Sequence, residues 1–168
     1  MMSGRMQRPS PGGCDGDDCV SYREGTETGR HQGSVARKGQ EGSIALIAVS
    51  YQIETPVDAA TGAVTGKRQH RPVTITKVVD QATPKFLQAL VSNEVLTEVK
   101  IEFWRTAPES AAPYFVVTLT NASVEAVSFA SSGNQEPHET EQISFTYRKI
   151  TWTFVDSGGS AQDDWNVS

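Results

Sequence analysis

The feature that most constrains the fold is the period-two alternation of apolar and polar residues after residue 93. In VKIEFW, Val99, Ile101 and Phe103 alternate with charged residues, which predicts a strand with one buried and one wet face. A long strand, YFVVTLTNASVEAVSF, follows, with a bend expected near Asn121. The last strand, QISFTYRKITWTFV, changes its apolar phase at Arg148 and Lys149, which predicts a β-bulge there. The second half of the chain is therefore predicted to be all β.

One short helix precedes these strands and follows the strand VTITKVV. Thr83 is the expected N-cap, Pro84 the first helical residue, and Ser92 and Asn93 the end of the helix. Four apolar residues recur at helical spacing and are expected to form one buried face: Phe86, Leu87, Leu90 and Val91. The fold class is thus mainly β with one short α-helix.

The first 42 residues differ in character from the rest. They hold most of the glycines and few large apolar side chains, so they cannot bury enough surface to offset the entropy of ordering them. We expect disorder through about Gly29, a disordered or atypical leader over residues 1–32, and a β-barrel domain over residues 33–168. From Ile44 to Ile53 one strand is expected, with apolar residues in both phases. Such a strand needs cover on both faces, which suits a barrel or a subunit contact.

Composition excludes several classes of function. A chain of 168 residues fits one domain. The net charge of −5 argues against a nucleic-acid partner, because phosphate neutralisation needs a clustered excess of Lys and Arg. No apolar run approaches the roughly 20 residues that span a bilayer, so no membrane insertion is expected. The basic N-terminus has no apolar segment behind it, which excludes a Sec signal peptide.

A search for chemistry identifies no catalytic residue, no cofactor site and no metal site. Each histidine lies in a separate loop and is expected to be solvated: His31, His70 and His138. Cys14 and Cys19 are expected to be free thiols. Asp163 and Asp164 are neighbours on a polar tail and point apart, so they do not form a catalytic dyad. The sequence therefore predicts that the protein is not an enzyme.

Two features indicate contacts with other proteins. Residues 57–71 form a polar loop too long for an ordinary hairpin connection. Its basic run is either a solvated loop or an arm that docks on an acidic surface, such as another copy of this acidic chain. Trp104 is opposite in phase to Phe103 and is a candidate for a subunit contact, where Trp is enriched. Trp152 is expected in the core, and Trp165 is a candidate anchor for the tail.

Seven segments resemble one known family in order and spacing: GSVARKGQEGSIALIAVSYQI, TGKRQHRPVTITK, ATPKFLQALVSNEVL, KIEFWR, LTNASVEAVSF, ISFTYRKITWTF and DDW. They resemble the haemolysin-coregulated proteins (Hcp), the tube-forming subunits of bacterial type VI secretion, and cover about residues 33–165. The resemblance implies a closed or nearly closed β-barrel with a flanking helix, assembled into hexameric rings. It also implies that the rings stack into a tube carrying effectors, assembled in the bacterial cytoplasm and then exported without a Sec signal.

The resemblance names partners and a candidate site. The implied partners are other copies of the chain, the tip and sheath proteins of the secretion machine, and effectors in the lumen. The implied ring-stacking residues lie in the long loop: Thr61, Gly62, Thr65, Gly66, Lys67, Arg68, Gln69 and His70. The family's apolar first strand has no good counterpart before Gly33, where CVSYREGTET is a poor substitute. We therefore expect either that the barrel lacks an edge strand or that the leader is an altered or misassigned start. An alternative function is a ring-shaped effector chaperone or adaptor that does not build tubes.

Overall fold

The computed structural model describes residues 18–24, 42–105, 112–131, 133 and 139–165. These residues form ten strands and one helix: β1 Asp18–Glu24, β2 Ile44–Leu46, β3 Ala48–Ser50, β4 Ile53–Glu54, β5 Gln69–His70, β6 Val73–Val78, α1 Thr83–Ser92, β7 Val95–Arg105, β8 Phe115–Ser131, β9 Glu139–Phe154 and β10 Gly159–Asp164. The predicted mainly β fold with one short helix is confirmed.

One antiparallel sheet holds most of the strands, in the order β2-β1-β7-β8-β9-β6-β3, and β10 pairs with β9. The expected single strand from Ile44 to Ile53 is wrong, because β2, β3 and β4 are separate strands. Only Ile47 separates β2 from β3, yet these strands lie at opposite ends of the order. The Ile47 N–H donates to the Thr76 carbonyl at 2.8 Å. The sheet therefore curls into a half-barrel whose two end strands come from one stretch of chain.

A strand does precede Gly33, contrary to the prediction. The backbone of β1 pairs with β7 from Asp18 opposite Arg105 to Glu24 opposite Val99, and also with β2. The strand was missed because its identity rests on pairing with distant strands rather than on an apolar pattern of its own. Residues 1–17 and 25–32 lie outside the described residues, and the domain boundary at residue 33 stays a prediction.

The helix begins differently from the prediction. Its N-cap is Ala82, with no side-chain capping hydrogen bond, so the assignment of Thr83 as N-cap is wrong. The Thr83 hydroxyl instead donates to Glu141 Oε1 at 2.8 Å. The predicted end is confirmed, because Asn93 closes the helix in the left-handed region at φ 52°. Asparagine tolerates this conformation better than most residues.

The predicted apolar face of the helix is half right. Phe86 is buried, with its ring centroid 6.1 Å from that of Phe145, and Leu90 packs partly on the core. Leu87 and Val91 are exposed instead. The four side chains together span a wider arc of the helix surface than the sheet covers. Only the part of this arc that holds Phe86 and Leu90 is therefore buried.

The predicted bulge at Arg148 and Lys149 is wrong. Strands β8 and β9 keep one register across that point, from Thr120 opposite Lys149 to Ala122 opposite Tyr147. In both strands the alternation of buried and exposed side chains shifts by one residue at the same height in the sheet. In β8 the shift occurs at Asn121, whose φ is 49°. The register shift occurs elsewhere in β8, between Val124 and Ala126. The irregularity expected near Asn121 is therefore present.

Candidate functional site

The long polar loop is a β-hairpin arm over residues 53–70, called the arm below. Strands β4 and β5 pair at its root, and Val57 and Val64 form a bridge further out. Two backbone hydrogen bonds extend the pairing, from Thr65 N to the Pro56 carbonyl at 3.0 Å and from Asp58 N to the Ala63 carbonyl at 2.8 Å. The segment is long because it builds a two-stranded projection rather than a simple connection.

The tip of the arm is shaped by Asp58. Its Oδ1 accepts hydrogen bonds from Ala60 N at 3.0 Å, Thr61 N at 2.8 Å and Thr61 Oγ1 at 2.8 Å. The hydrogen bond from the Thr61 hydroxyl is the largest cause of the lowered pKa of the Asp58 carboxyl. Gly62 completes the turn at φ 70°, a conformation that glycine adopts without strain. The tip therefore keeps its shape through its own hydrogen bonds.

The middle of the arm exposes an apolar pair. The exposed fractions of Val57 and Val64 are 57% and 68%, and the two residues face each other across the bridge. Thr61, Gly62, Thr65, Gly66 and Lys67 are exposed around them. An ordered projection that presents apolar side chains to water is typical of a protein-binding element.

The root of the arm is fixed by His70, whose side chain is only 2% exposed. Its Nδ1 lies 3.0 Å from Tyr147 Oη, and its Nε2 lies 3.2 Å from Asp163 Oδ2. The imidazole also stacks on the Trp165 indole, with ring centroids 5.6 Å apart. The prediction of a solvated His70 is wrong, because its partners lie far along the chain in β9 and β10.

Arg68 strengthens the same root. Its Nε and Nη2 donate to the two oxygens of Asp163 at 2.7 and 2.8 Å, a bidentate ion pair. The Arg68 hydrogen bond is the largest cause of the lowered pKa of Asp163. Burial, and then the charge of Asp163, raise the pKa of the Tyr147 phenol to about 12. We call Arg68, His70, Tyr147, Asp163 and Trp165 the root cluster.

The predicted stacking residues divide into two groups. Thr61, Gly62, Thr65, Gly66 and Lys67 lie on the exposed outer part of the arm. Gln69 is exposed at the root, whereas Arg68 and His70 bind their own chain. A role of these eight residues in ring stacking stays a prediction.

Sequence reasoning did not connect Tyr147, Asp163 and Trp165 with the arm. The sequence predicts a polar tail at Asp163 and Asp164, whereas these two residues end strand β10. The signal in the sequence that could have indicated this contact is the closing DDW motif. The expectation that Trp165 anchors the tail agrees with its packing against the core. Trp152 also packs on the core, as predicted, although it is only partly buried.

Trp104 is 5% exposed, so nearly all of its surface is covered within the single chain. It pairs across the sheet with Cys19 of β1. Its phase opposite to Phe103 does not leave it on a free face. A contact of Trp104 with a neighbouring subunit stays a prediction, and little of its side chain is available for one.

The remaining surface of the root is an open cleft of about 300 Å³, lined by Arg68, Gln69, His70, Arg71 and Trp165. Arg71 donates across the arm to Glu54 at 3.0 Å. Within the described residues, no three His, Cys, Asp or Glu side chains are grouped so as to hold a metal ion. No helix in that part of the chain has the length and apolar character needed to cross a membrane. His31, His138 and Cys14 lie outside the described residues.

Comparison with known proteins gives a consistent result. Residues 23–154 match the family described as "Type VI secretion system effector, Hcp". The chain is 39% identical over 139 residues to the "Major exported protein" of Pseudomonas aeruginosa, covering 79% of this chain and 81% of that protein.

Two solved structures have the same fold. A crystal structure of an Hcp protein has a TM-score of 0.78 at 25% identity and covers 88% of this chain and 98% of its own. The secreted protein Hcp3 from Pseudomonas aeruginosa has a TM-score of 0.68 at 30% identity and covers 89% and 97%. The family match covers most of the described sheet, the helix and the whole arm. The chain therefore belongs to the type VI secretion system Hcp family.

Proposed function

We propose that this protein is a structural subunit of a type VI secretion tube, in which six copies close a ring and rings stack head to tail. The observation that carries the proposal is the arm: an ordered hairpin with an exposed apolar pair, fixed at its root. A surface loop with no partner would gain nothing from such rigidity, whereas an assembly contact does, because less entropy is lost on binding. In this assembly the curled sheet closes into a barrel with α1 at its side.

The root cluster supports a mechanical role for the arm. The bidentate pair of Arg68 and Asp163 joins the arm to β10, and His70 joins it to Tyr147 of β9. A force on the tip is therefore carried into the main sheet rather than absorbed at a flexible hinge. A stacked tube that is pushed along its axis requires this property of its ring-to-ring contacts.

The proposed partners are other copies of the chain, the tip and sheath proteins, and effectors in the lumen. Export is supported by the relatives that are named an exported and a secreted protein. In this proposal assembly takes place in the bacterial cytoplasm, and the subunit is then exported. Function in this proposal depends on geometry, with no catalysis, cofactor, nucleic acid or membrane insertion.

The test is the oligomeric state of the purified chain. Native mass spectrometry should show a six-subunit species, and electron microscopy should show rings and short stacks. A chain that stays monomeric at high concentration would contradict the proposal. Rings of another subunit number would contradict the hexamer while leaving self-assembly intact.

A ring-shaped effector chaperone or adaptor is the second candidate. It is favoured by one observation: Arg68 and His70, two of the basic residues available to contact an acidic neighbour, are engaged within their own chain. Rings that bind a co-expressed effector but never stack, at any concentration, would support this candidate over the tube.

A further inference from the structure

The open cleft at the root of the arm is lined mainly by hydrogen-bond donors. Among the described residues, the side chains that line it are Arg68, Gln69, His70, Arg71 and Trp165, and none of them is acidic. Guanidinium, indole and amide groups all carry N–H donors. The chain as a whole carries a net charge of −5, so this lining departs from its average composition. Such a lining favours a ligand that accepts hydrogen bonds.

Two ion pairs place their positive ends at the cleft. Arg68 donates from Nε and Nη2 to Asp163 at 2.7 and 2.8 Å, and Arg71 donates from Nη2 to Glu54 at 3.0 Å. Both guanidinium groups line the cleft, whereas neither carboxylate does. Each pair is neutral as a whole, but its positive charge is the nearer one to a ligand in the cleft. The local field therefore favours a negatively charged group.

The two arginines are held in place and still have donors in reserve. Nη1 of Arg68, and Nε and Nη1 of Arg71, take no part in the two ion pairs. The two side chains are 47% and 60% exposed, so a ligand can reach them. Because two hydrogen bonds to Asp163 fix the Arg68 guanidinium, little side-chain entropy is lost when it binds a further group.

One wall of the cleft is aromatic and rigid. The Trp165 indole stacks on the His70 imidazole with ring centroids 5.6 Å apart, and its centroid lies 4.9 Å from that of Tyr147 in an edge-on contact. This wall offers apolar surface beside the guanidinium groups. The cleft volume of about 300 Å³ lies at the small end of the range for ligand pockets. It therefore suits one short side chain or a small organic acid.

We propose that this cleft binds a carboxylate group, carried by an acidic side chain of a partner protein or by a small carboxylic acid. The planar fork of a guanidinium matches the two oxygens of a carboxylate. A phosphate dianion fits less well, because each arginine is already partly neutralised by its own carboxylate. The net charge of the chain also repels a dianion more strongly than a monoanion. The proposal does not rest on ring assembly.

Acetate is the probe for the test, and fluorine NMR of the full chain labelled with fluorotryptophan is the measurement. The chain has three tryptophans, so the spectrum is simple, and Trp165→Phe identifies the Trp165 resonance. Acetate in the millimolar range should shift this resonance to saturation and leave those of Trp104 and Trp152 in place. Chloride at equal ionic strength is the control. If acetate moves the Trp165 resonance no more than chloride does, the proposal is overturned.

Two matched variants should change acetate binding in opposite directions. Arg71→Gln removes a guanidinium and should weaken binding by about tenfold, the loss expected for a hydrogen bond to a charged group. Glu54→Gln removes the carboxylate that competes for Arg71 and should tighten binding. The two side chains are 60% and 38% exposed, so the urea midpoint should change little in either variant. Equal acetate affinity in the two variants would contradict the proposal.

The source of the carboxylate is distinguished by a second titration. A capped Gly-Glu-Gly peptide is compared with acetate, and a capped Gly-Gln-Gly peptide is the control. Binding of the glutamate peptide about tenfold tighter than acetate supports an acidic side chain of a partner protein. Equal or weaker binding of the peptide supports a small acid. Binding of the glutamine peptide as tight as that of the glutamate peptide, or of inorganic phosphate tighter than that of acetate, would overturn the carboxylate assignment.

Discussion

At the scale of single residues, one buried network connects the helix to the sheet. Lys77 is fully buried, and its Nζ lies 2.6 Å from Glu141 Oε1, 2.9 Å from Asp80 Oδ1 and 2.8 Å from the Val78 carbonyl. Glu141 also accepts the Thr83 hydroxyl hydrogen bond at the start of α1. The buried Lys77 ammonium is satisfied by its three oxygen partners. In turn, the carboxylates of Asp80 and Glu141 depend on its positive charge.

We expect Lys77→Met to lower the free energy of unfolding by about 3–5 kcal/mol, because it leaves the Glu141 carboxylate buried without its counter-charge. Urea unfolding followed by circular dichroism measures the change. The double variant Lys77→Met with Glu141→Leu removes both charges and should recover a large part of the loss. A single variant that loses less than about 1 kcal/mol would show that the network contributes little.

The incorrect predictions for single residues have one cause in common. His70 was expected in solvent and Thr83 as a helix cap, yet their partners Tyr147, Asp163 and Glu141 lie 58 to 93 positions further along the chain. Local patterns carry no information about which polar side chains meet after folding. Apolar phases are different, because a strand with one buried face shows that face in its own sequence, as Val99 and Ile101 do.

At the scale of elements, α1, β6 and β7 could be predicted because each has a local period and a local boundary. The break of the first apolar stretch at Ile47 could not be predicted. It arises because this one segment supplies both end strands of the sheet, β2 and β3. Strand β10 is polar, so its sequence is typical of a tail, although six of its residues pair with β9. The arm was recognised as a long and functional loop, but its hairpin pairing was not predicted.

The division of the arm into a rigid root and an exposed tip leads to a prediction. Replacing residues 58–64 by a two-residue Asn-Gly turn removes the tip and the apolar pair partner Val64 but keeps Arg68 and His70. Rings should still form, while stacks in electron micrographs should become at least tenfold rarer at equal protein concentration. The urea midpoint should change little, because the removed residues are exposed.

A matched variant separates the two parts of the arm. Val57→Thr with Val64→Thr keeps the hairpin and its tip turn but removes the exposed apolar surface, and threonine suits paired strands. If the apolar pair makes the contact, this variant should lose stacking as fully as the shortened arm does. Normal stacking of the shortened variant would contradict the assignment of the arm to ring-to-ring contact.

At the scale of the whole molecule, β1 connects the two sides of the curled sheet. It pairs with β7 over seven residue pairs and with β2 over three, so it joins the stretch that contains β2 and β3 to the centre of the sheet. At least one segment of the N-terminal part of the chain is therefore needed for the fold. Residues 18–24 are part of the fold, even though their sequence resembles the polar segment around them.

We expect truncation to separate these two parts. A chain without residues 1–17 keeps β1 and should unfold cooperatively at the wild-type temperature and form the same rings. A chain without residues 1–24 loses β1 and exposes the paired edges of both β2 and β7 to other chains. It should aggregate on size-exclusion chromatography or melt without a cooperative transition by circular dichroism. If this shorter chain folded and assembled like wild type, β1 would be an appendage to the sheet, and β2 would have to be held in place through Ile47 and β6 alone.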